Sequence, residues 1–331
     1  MSSLHVCLFG KLEVRMCGSE LTGSLSGKAQ ELLAYLLLHR RSHPREKLAT
    51  LLWQHGSSQR TKAYLRKALW QLRDALESET DNVPSVVRAD DDWIQINPEV
   101  PLWADVVAFE DAFDAVRDCP ASEMPPEDVR ALQEAETLYT GDLLENWYEE
   151  WCLMERERLR DMFLRMLGRL ARCCEHNGAY DTGIQYGLRL LRIDPARERG
   201  HRQLMRLRAR AGNRVSALRQ YERCAEVLDR ELGVAPATAT CRLRDQIEAD
   251  TFPGADGEPN PGPGSRATTI ETVPEGDARF GADRATSVLK ALSLQDGLTR
   301  LRELQSTLAA VQKQIRRKVR AAEHALSDGA E

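Results

Sequence analysis

Leu65, Leu69, Leu72 and Leu76 recur at spacings of three and four, the period of a helix that buries one narrow stripe. Residues 57–77 therefore read as one helix packed from a single side, with Ser57 or Ser58 as its cap. Its surroundings restrict the fold further. Leu4, Val6 and Leu8, then Leu12, Val14 and Met16, alternate with other residues as half-buried strands do, and Gly10 and Gly18 punctuate them. The chain thus opens on a small antiparallel sheet. Ala29, Leu32, Leu33, Leu36 and Leu37 predict a first helix behind Ser26 as N-cap, and Leu48, Leu51, Leu52 and Trp53 a second that begins at Pro44. After the third helix, two short strands at 85–88 and 93–96 flank Asp90, Asp91 and Asp92 as a hairpin. Sheet, three helices and hairpin is the order of a winged helix-turn-helix with an N-terminal sheet.

Away from the leucine stripe lie Gln59, Ala63, Arg66, Lys67, Trp70 and Arg73, with Arg60 and Lys62 towards the edges. Between 57 and 77 there are five basic residues and two acidic ones. Taken alone, such a face is simply solvated. As the third of three helices, ahead of a hairpin, it is placed for the major groove of double-stranded DNA, with cations for phosphates and planar donors for guanine edges. Trp70 would touch a thymine methyl or sugar, or pack on the hairpin or a neighbouring subunit. Three aspartates at a wing tip would repel phosphates, which leaves Arg88 as the wing's candidate. The charge distribution agrees: Lys+Arg against Asp+Glu is 13 to 11 over residues 1–98 but 22 to 29 over 99–250, within a net charge of −5. Nucleic-acid contact is expected in the first third.

From Trp103 to about Asp250 the pattern is helical only. Asn177-Gly178-Ala179-Tyr180 and Ala211-Gly212-Asn213-Arg214 each open a helix, and the two glycines stand 34 residues apart, the period of tetratricopeptide repeats. Stacked helical hairpins follow, because one hairpin cannot cover its own apolar face. The fold class is mainly α: a winged helix with small β-sheets over 1–98, then an all-α, TPR-like domain over 99–250. Residues 251–285, rich in Pro and Gly, read as a disordered linker. Residues 286–331 read as an amphipathic helix in which Leu301, Leu304, Leu308, Val311 and Ile315 have the spacing either of a coiled coil or of a helix docked on its own chain.

Several function classes fare poorly. No apolar run is long enough for a membrane span and the N-terminus lacks a signal-peptide pattern, so a cytoplasmic protein without membrane partners is expected. The eight cysteines are scattered, with no Cys-x-x-Cys pair, and read as reduced thiols; neither metal nor cofactor is expected. Gly23-Ser24-Leu25-Ser26-Gly27-Lys28 looks like part of a P-loop, but Thr22 and Ala29 stand where a Gly and a Ser or Thr are needed. No catalytic constellation survives, so the chain is not read as an enzyme. Two readings of the residues stay open: a sequence-specific DNA-binding regulator, or a TPR-like protein-interaction adaptor or ligand sensor with a degenerate winged helix.

Longer stretches carry a resemblance. They are Gly27-Lys28-Ala29-Gln30-Glu31-Leu32-Leu33-Ala34-Tyr35-Leu36, Leu48-Ala49-Thr50-Leu51-Leu52-Trp53 and Leu65-Arg66-Lys67-Ala68-Leu69-Trp70-Gln71-Leu72-Arg73 in the first part. In the second they are Leu138-Tyr139-Thr140-Gly141-Asp142-Leu143-Leu144, Asp194-Pro195-Ala196-Arg197-Glu198 and Glu231-Leu232-Gly233-Val234-Ala235-Pro236. Over about residues 4–250 the sequence resembles the SARP family of bacterial regulators, in which an OmpR-like winged helix precedes a bacterial transcriptional activator domain. The resemblance implies a homodimer or tandem oligomer on direct repeats near promoters, and activation by recruiting RNA polymerase. It places recognition at Arg66, Lys67, Trp70 and Arg73. Trp70 departs from the small residue usual there, and the acidic wing from the usual Gly-containing turn, so target sequence and wing contacts do not carry over. The large ATPase module of some relatives is absent, and the tail after Phe252 has no counterpart.

Overall fold

Alternation in the first sixteen residues folds into β1 (Leu4–Cys7) and β2 (Glu13–Met16), antiparallel with Val6 opposite Val14, and β2 pairs in turn with the short β3 (Ser19–Glu20). Leu4, Val6, Val14 and Met16 face inwards and are fully buried. The computed structural model describes residues 4–53, 58–77 and 85–253. Ser57 and the segments expected as linker and terminal helix, beyond residue 253, lie outside the described residues.

Three helices follow, α1 (Gly27–Leu38), α2 (Arg45–Leu52) and α3 (Ser58–Glu77). Ser26 holds the N-cap position of α1, but its side chain does not cap the helix; its hydroxyl donates to Oε1 of Gln71 on α3 at 2.7 Å. Pro44 is likewise not the first residue of α2. It has extended backbone (φ −59°, ψ 132°) and belongs to β4 (His43–Pro44), which pairs with β6 (Trp93–Ile96). With β5 (Val87–Ala89) this makes a three-stranded wing sheet in the order β4-β6-β5, one strand more than the hairpin alone.

The expectation of helices only from Trp103 onwards fails at its first residues. Leu102–Ala104 is a strand, β7, which runs parallel to β1 with Val6 opposite Ala104 and completes a sheet in the order β3-β2-β1-β7. Asp105 follows as the first residue of α4 (Asp105–Ala115), and its buried carboxylate accepts the N–H groups of Leu8 and Phe9 at 2.9 Å. Burial pushes this carboxyl above its ordinary range, against the opposing pull of those N–H bonds. Gly10 donates to the carbonyl of Asp142, and Leu144 to that of Leu8. The rings of Phe9, Phe109, Tyr139 and Phe163 then pack into one cluster, with Tyr139 stacked on Phe163 at 4.0 Å. The apolar core is therefore continuous from the first strand into the helical region.

The helices α5 (Pro126–Leu138), α6 (Glu150–His176), α7 (Tyr180–Ile193), α8 (Glu198–Arg210), α9 (Arg214–Leu232) and α10 (Thr238–Glu248) form the TPR-like stack. The 34-residue echo has a conformational basis: Gly178 and Gly212 have φ of +72° and +75°, and each turns the chain between consecutive helices. Phe252 belongs to this body and not to a linker. It is 8% exposed, in a second apolar cluster with Met205, Ala217, Leu243 and Ile247.

Candidate nucleic-acid interface

The leucine stripe of α3 is buried as its spacing requires, and two polar ties add to it: the Ser26–Gln71 bond to the segment before α1, and a bond from Arg73 Nη2 to the carbonyl of Val87 on β5 at 2.9 Å. A helix held on one side by apolar packing and pinned to its neighbours presents its other side in a fixed geometry. That side carries Gln59, Arg60, Lys62, Ala63, Arg66, Lys67 and Trp70, all exposed.

The predicted site residues fall into three groups. Arg60, Arg66 and Lys67 have no carboxylate partner among the described residues. Lys62 and Arg88 are exposed but paired, Lys62 Nζ with Glu46 of α2 at 2.5 Å and Arg88 with Glu99 at 2.6 Å. Exposed pairs of this kind are held only weakly against solvent and salt. A phosphate can therefore displace either glutamate at little cost. Arg73 stands apart: it is half-buried, bound to the β5 backbone, and lines a groove of about 630 Å³ between α3 and the wing sheet. As placed, it positions the wing against the helix.

Trp70 is 63% exposed, and among the described residues no aromatic ring stacks on it. Two features escaped the sequence reading. Tyr64 is also half-exposed on α3, tilted against Trp53 with ring centroids 6.2 Å apart; its place outside the leucine stripe was the available signal. At the wing tip, Asp90 is occupied in shaping the turn. Its Oδ1 accepts from the N–H groups of Asp92 and Trp93 at 2.9 and 2.8 Å, bonds that hold its carboxyl below the ordinary value. Asp91 and Asp92 remain exposed, and the wing keeps its acidic tip.

Among the described residues, no group of three or more His, Cys, Asp or Glu side chains is placed to hold a metal ion, and no helix is long and apolar enough to cross a membrane. Burial lifts the thiols of Cys152, Cys174 and Cys224 to pKa values of about 11, which keeps them protonated and unreactive at neutral pH.

Residues 104–248 match the family described as the bacterial transcriptional activator domain. No curated protein is significantly similar in sequence. Among solved structures, EmbR of Mycobacterium tuberculosis, in complex with a low-affinity phosphopeptide, is similar with a TM-score of 0.66 at 20% identity, over 76% of this chain and 66% of that one. The chain thus spans just under two thirds of the length of EmbR, and at this identity the likeness is one of fold. A C-terminal TPR-containing domain of an FK506-binding protein from Plasmodium falciparum matches at a TM-score of 0.32 and 14% identity, over 44% of this chain and 87% of that one, too low to bear on the fold. A winged helix thus precedes a region, residues 104–248, that matches the bacterial transcriptional activator domain.

Proposed function

We propose that the chain is a sequence-specific activator that lays α3 in the major groove of double-stranded DNA, binds direct repeats near promoters as a dimer or tandem oligomer, and recruits RNA polymerase. The observation that carries this reading is the outward face of α3, where Arg60, Arg66 and Lys67 are exposed without carboxylate partners among the described residues, beside an exposed Trp70, on a helix fixed from behind by four buried leucines. Arg66 and Lys67 supply planar and point-charge donors to base edges and phosphates, while Lys62 and Arg88 exchange their glutamates for phosphates at the margins. The first part of the chain is only mildly basic, so single-site affinity is modest and adjacent copies supplement it.

Footprinting on genomic fragments recovered by immunoprecipitation tests this. Protected direct repeats spaced by about 10–11 base pairs are expected from one helical turn per subunit. The Arg66→Ala/Lys67→Ala variant should lose the footprint, and each lost phosphate contact should lower the slope of log affinity against log salt by about 0.9. Unchanged footprints in that variant would remove α3 from the interface.

A further inference from the structure

A second concentration of positive charge lies far along the sequence from α3. Between the end of α4 and helices α6, α7 and α8 is a cavity of about 320 Å³. Six arginines line it, Arg117, Arg165, Arg169, Arg172, Arg197 and Arg199, and no acidic side chain does. The remaining wall is Phe113, Leu164 and Leu190 beside Gly168 and Gly200, with the buried Gln203, whose amide donates to the Gly168 carbonyl.

The arginines are unevenly neutralised. Arg165 and Arg197 share Asp161, at 3.0 and 3.2 Å, Arg197 also approaches Asp194 at 3.7 Å, and Arg117 pairs with Asp114 at 2.7 Å. Arg169 donates to the backbone carbonyls of Arg117 and Cys119, and its buried Nε has no acceptor among the described residues. Arg172 and Arg199 have no carboxylate partner among the described residues. Arg172 is half-buried in α6, and burial together with the charges of Arg199 and Arg169 draws its pKa down. Elsewhere in the helical region half-buried arginines are matched one by one, Arg158 by Glu110, Arg189 by Glu136 and Arg206 by Glu175, or satisfied by neutral acceptors, Arg156 by backbone carbonyls and Arg208 by the Ser216 carbonyl and Gln220. Leaving cations together and partly desolvated is costly unless an anion joins them.

We propose that this cavity binds a small metabolite carrying two or more phosphate groups. Guanidinium forks meet phosphate oxygens two at a time, which suits a ligand with several equatorial oxygens better than a single carboxylate. The volume lies at the lower end of the range for small-molecule sites and leaves no room for a helix or strand. Phe113, Leu164 and Leu190 offer the non-phosphate part of the ligand an apolar surface. Because the lining comes from the end of α4, from α6 and from α8, occupancy would tie these elements together.

The test titrates the full chain with sodium tripolyphosphate, pyrophosphate and orthophosphate near physiological salt, reading calorimetric heat and thermal midpoint. Tripolyphosphate should bind more tightly than orthophosphate and raise the midpoint. Arg172→Gln/Arg199→Gln should weaken binding by roughly tenfold per arginine, the equivalent of one charge-assisted hydrogen bond each. Arg130→Gln/Arg219→Gln, which removes the same charge from exposed positions, and Arg66→Ala/Lys67→Ala on α3 should bind as the parent does. The proposal is overturned if no polyphosphate binds, or if either control variant loses as much affinity as the cavity variant. An unliganded midpoint no lower in Arg172→Gln/Arg199→Gln than in the parent shows that the cavity variant is folded.

Discussion

Replacing Asp105 by Ala should destabilise the whole body, although the residue lies in no interface with DNA. Its carboxylate is 4% exposed and accepts from the N–H groups of Leu8 and Phe9 at 2.9 Å, across almost a hundred residues of sequence, as well as from Val106 at 2.7 Å. Alanine leaves the two N–H groups of the β1 end buried without that acceptor, at about 1–3 kcal/mol each. Removing a carboxylate whose own burial is unfavourable offsets part of this, so a net loss of about 3 kcal/mol is expected. For a body of this size that is roughly 6–12 °C in thermal midpoint. Asp105→Asn keeps one acceptor oxygen but turns an amide N–H₂ towards a donor, and should lie between the two. Urea unfolding of the full chain, followed by tryptophan fluorescence and far-ultraviolet circular dichroism, measures the difference. The pH dependence adds a sign. Burial raises the native pKa of Asp105 above the unfolded value, so its linkage contribution is fully present below the ordinary value of 3.8 and is lost as pH rises through the native pKa. The gap between parent and Asp105→Ala should therefore be wider near pH 4 than near pH 7. A loss below about 1 kcal/mol at either pH would refute the idea that this carboxylate clasps the two ends of the core together.

Three further outcomes are expected. Gly187 on α7 lies against the fully buried Leu204, whose side-chain carbons would stand 2.6 and 2.8 Å from an added Cβ; Gly187→Ala should cost about 1–3 kcal/mol in urea unfolding, and a neutral result would mean that α7 and α8 are less closely packed. His201 is buried, its Nε2 donating to the carbonyl of Pro195 at 2.8 Å while Nδ1 faces the amide of Gln220, and burial lowers its pKa below 6.5. Stability should fall as pH drops through about 6.5 because the unfolded chain takes up that proton first, and His201→Gln should show a flatter pH profile over the same window. Trp70→Ala removes a side chain that is mostly exposed, so thermal stability should move by less than about 0.5 kcal/mol. Affinity for the footprinted repeat should nevertheless fall, and an unchanged affinity in gel shift would place Trp70 outside the interface.

Much of the fold was legible because it rests on local periodicity. The stripe of Leu65, Leu69, Leu72 and Leu76 is a property of twelve consecutive residues, and any burial of that helix has to use it. The spacing of Gly178 and Gly212 was readable for a similar reason, since each position needs a positive φ that glycine adopts without strain. The candidate site was only partly legible. Sequence placed Arg60, Lys62, Arg66 and Lys67 on the exposed side of α3, but Arg73 looked equivalent to them until β5 supplied a carbonyl for it. Asp90 read as a repulsive charge because the N–H groups it accepts become convergent only once the turn is formed.

By itself, then, the sequence determined the three helices of the first part, the apolar stripe of the third, and that cations near the N-terminus gather on that helix's other side. Tertiary structure decided everything that depends on residues distant along the chain: that Leu102–Ala104 is a strand beside β1, that His43–Pro44 belongs to the wing sheet, and that Asp105 closes the end of the first strand. It also decided that six arginines, from just after α4, from α6 and from the start of α8, share one cavity. The physical reason is that side-chain periodicity is written into neighbouring residues, whereas a backbone partner or a shared cavity arises only when separate elements pack together.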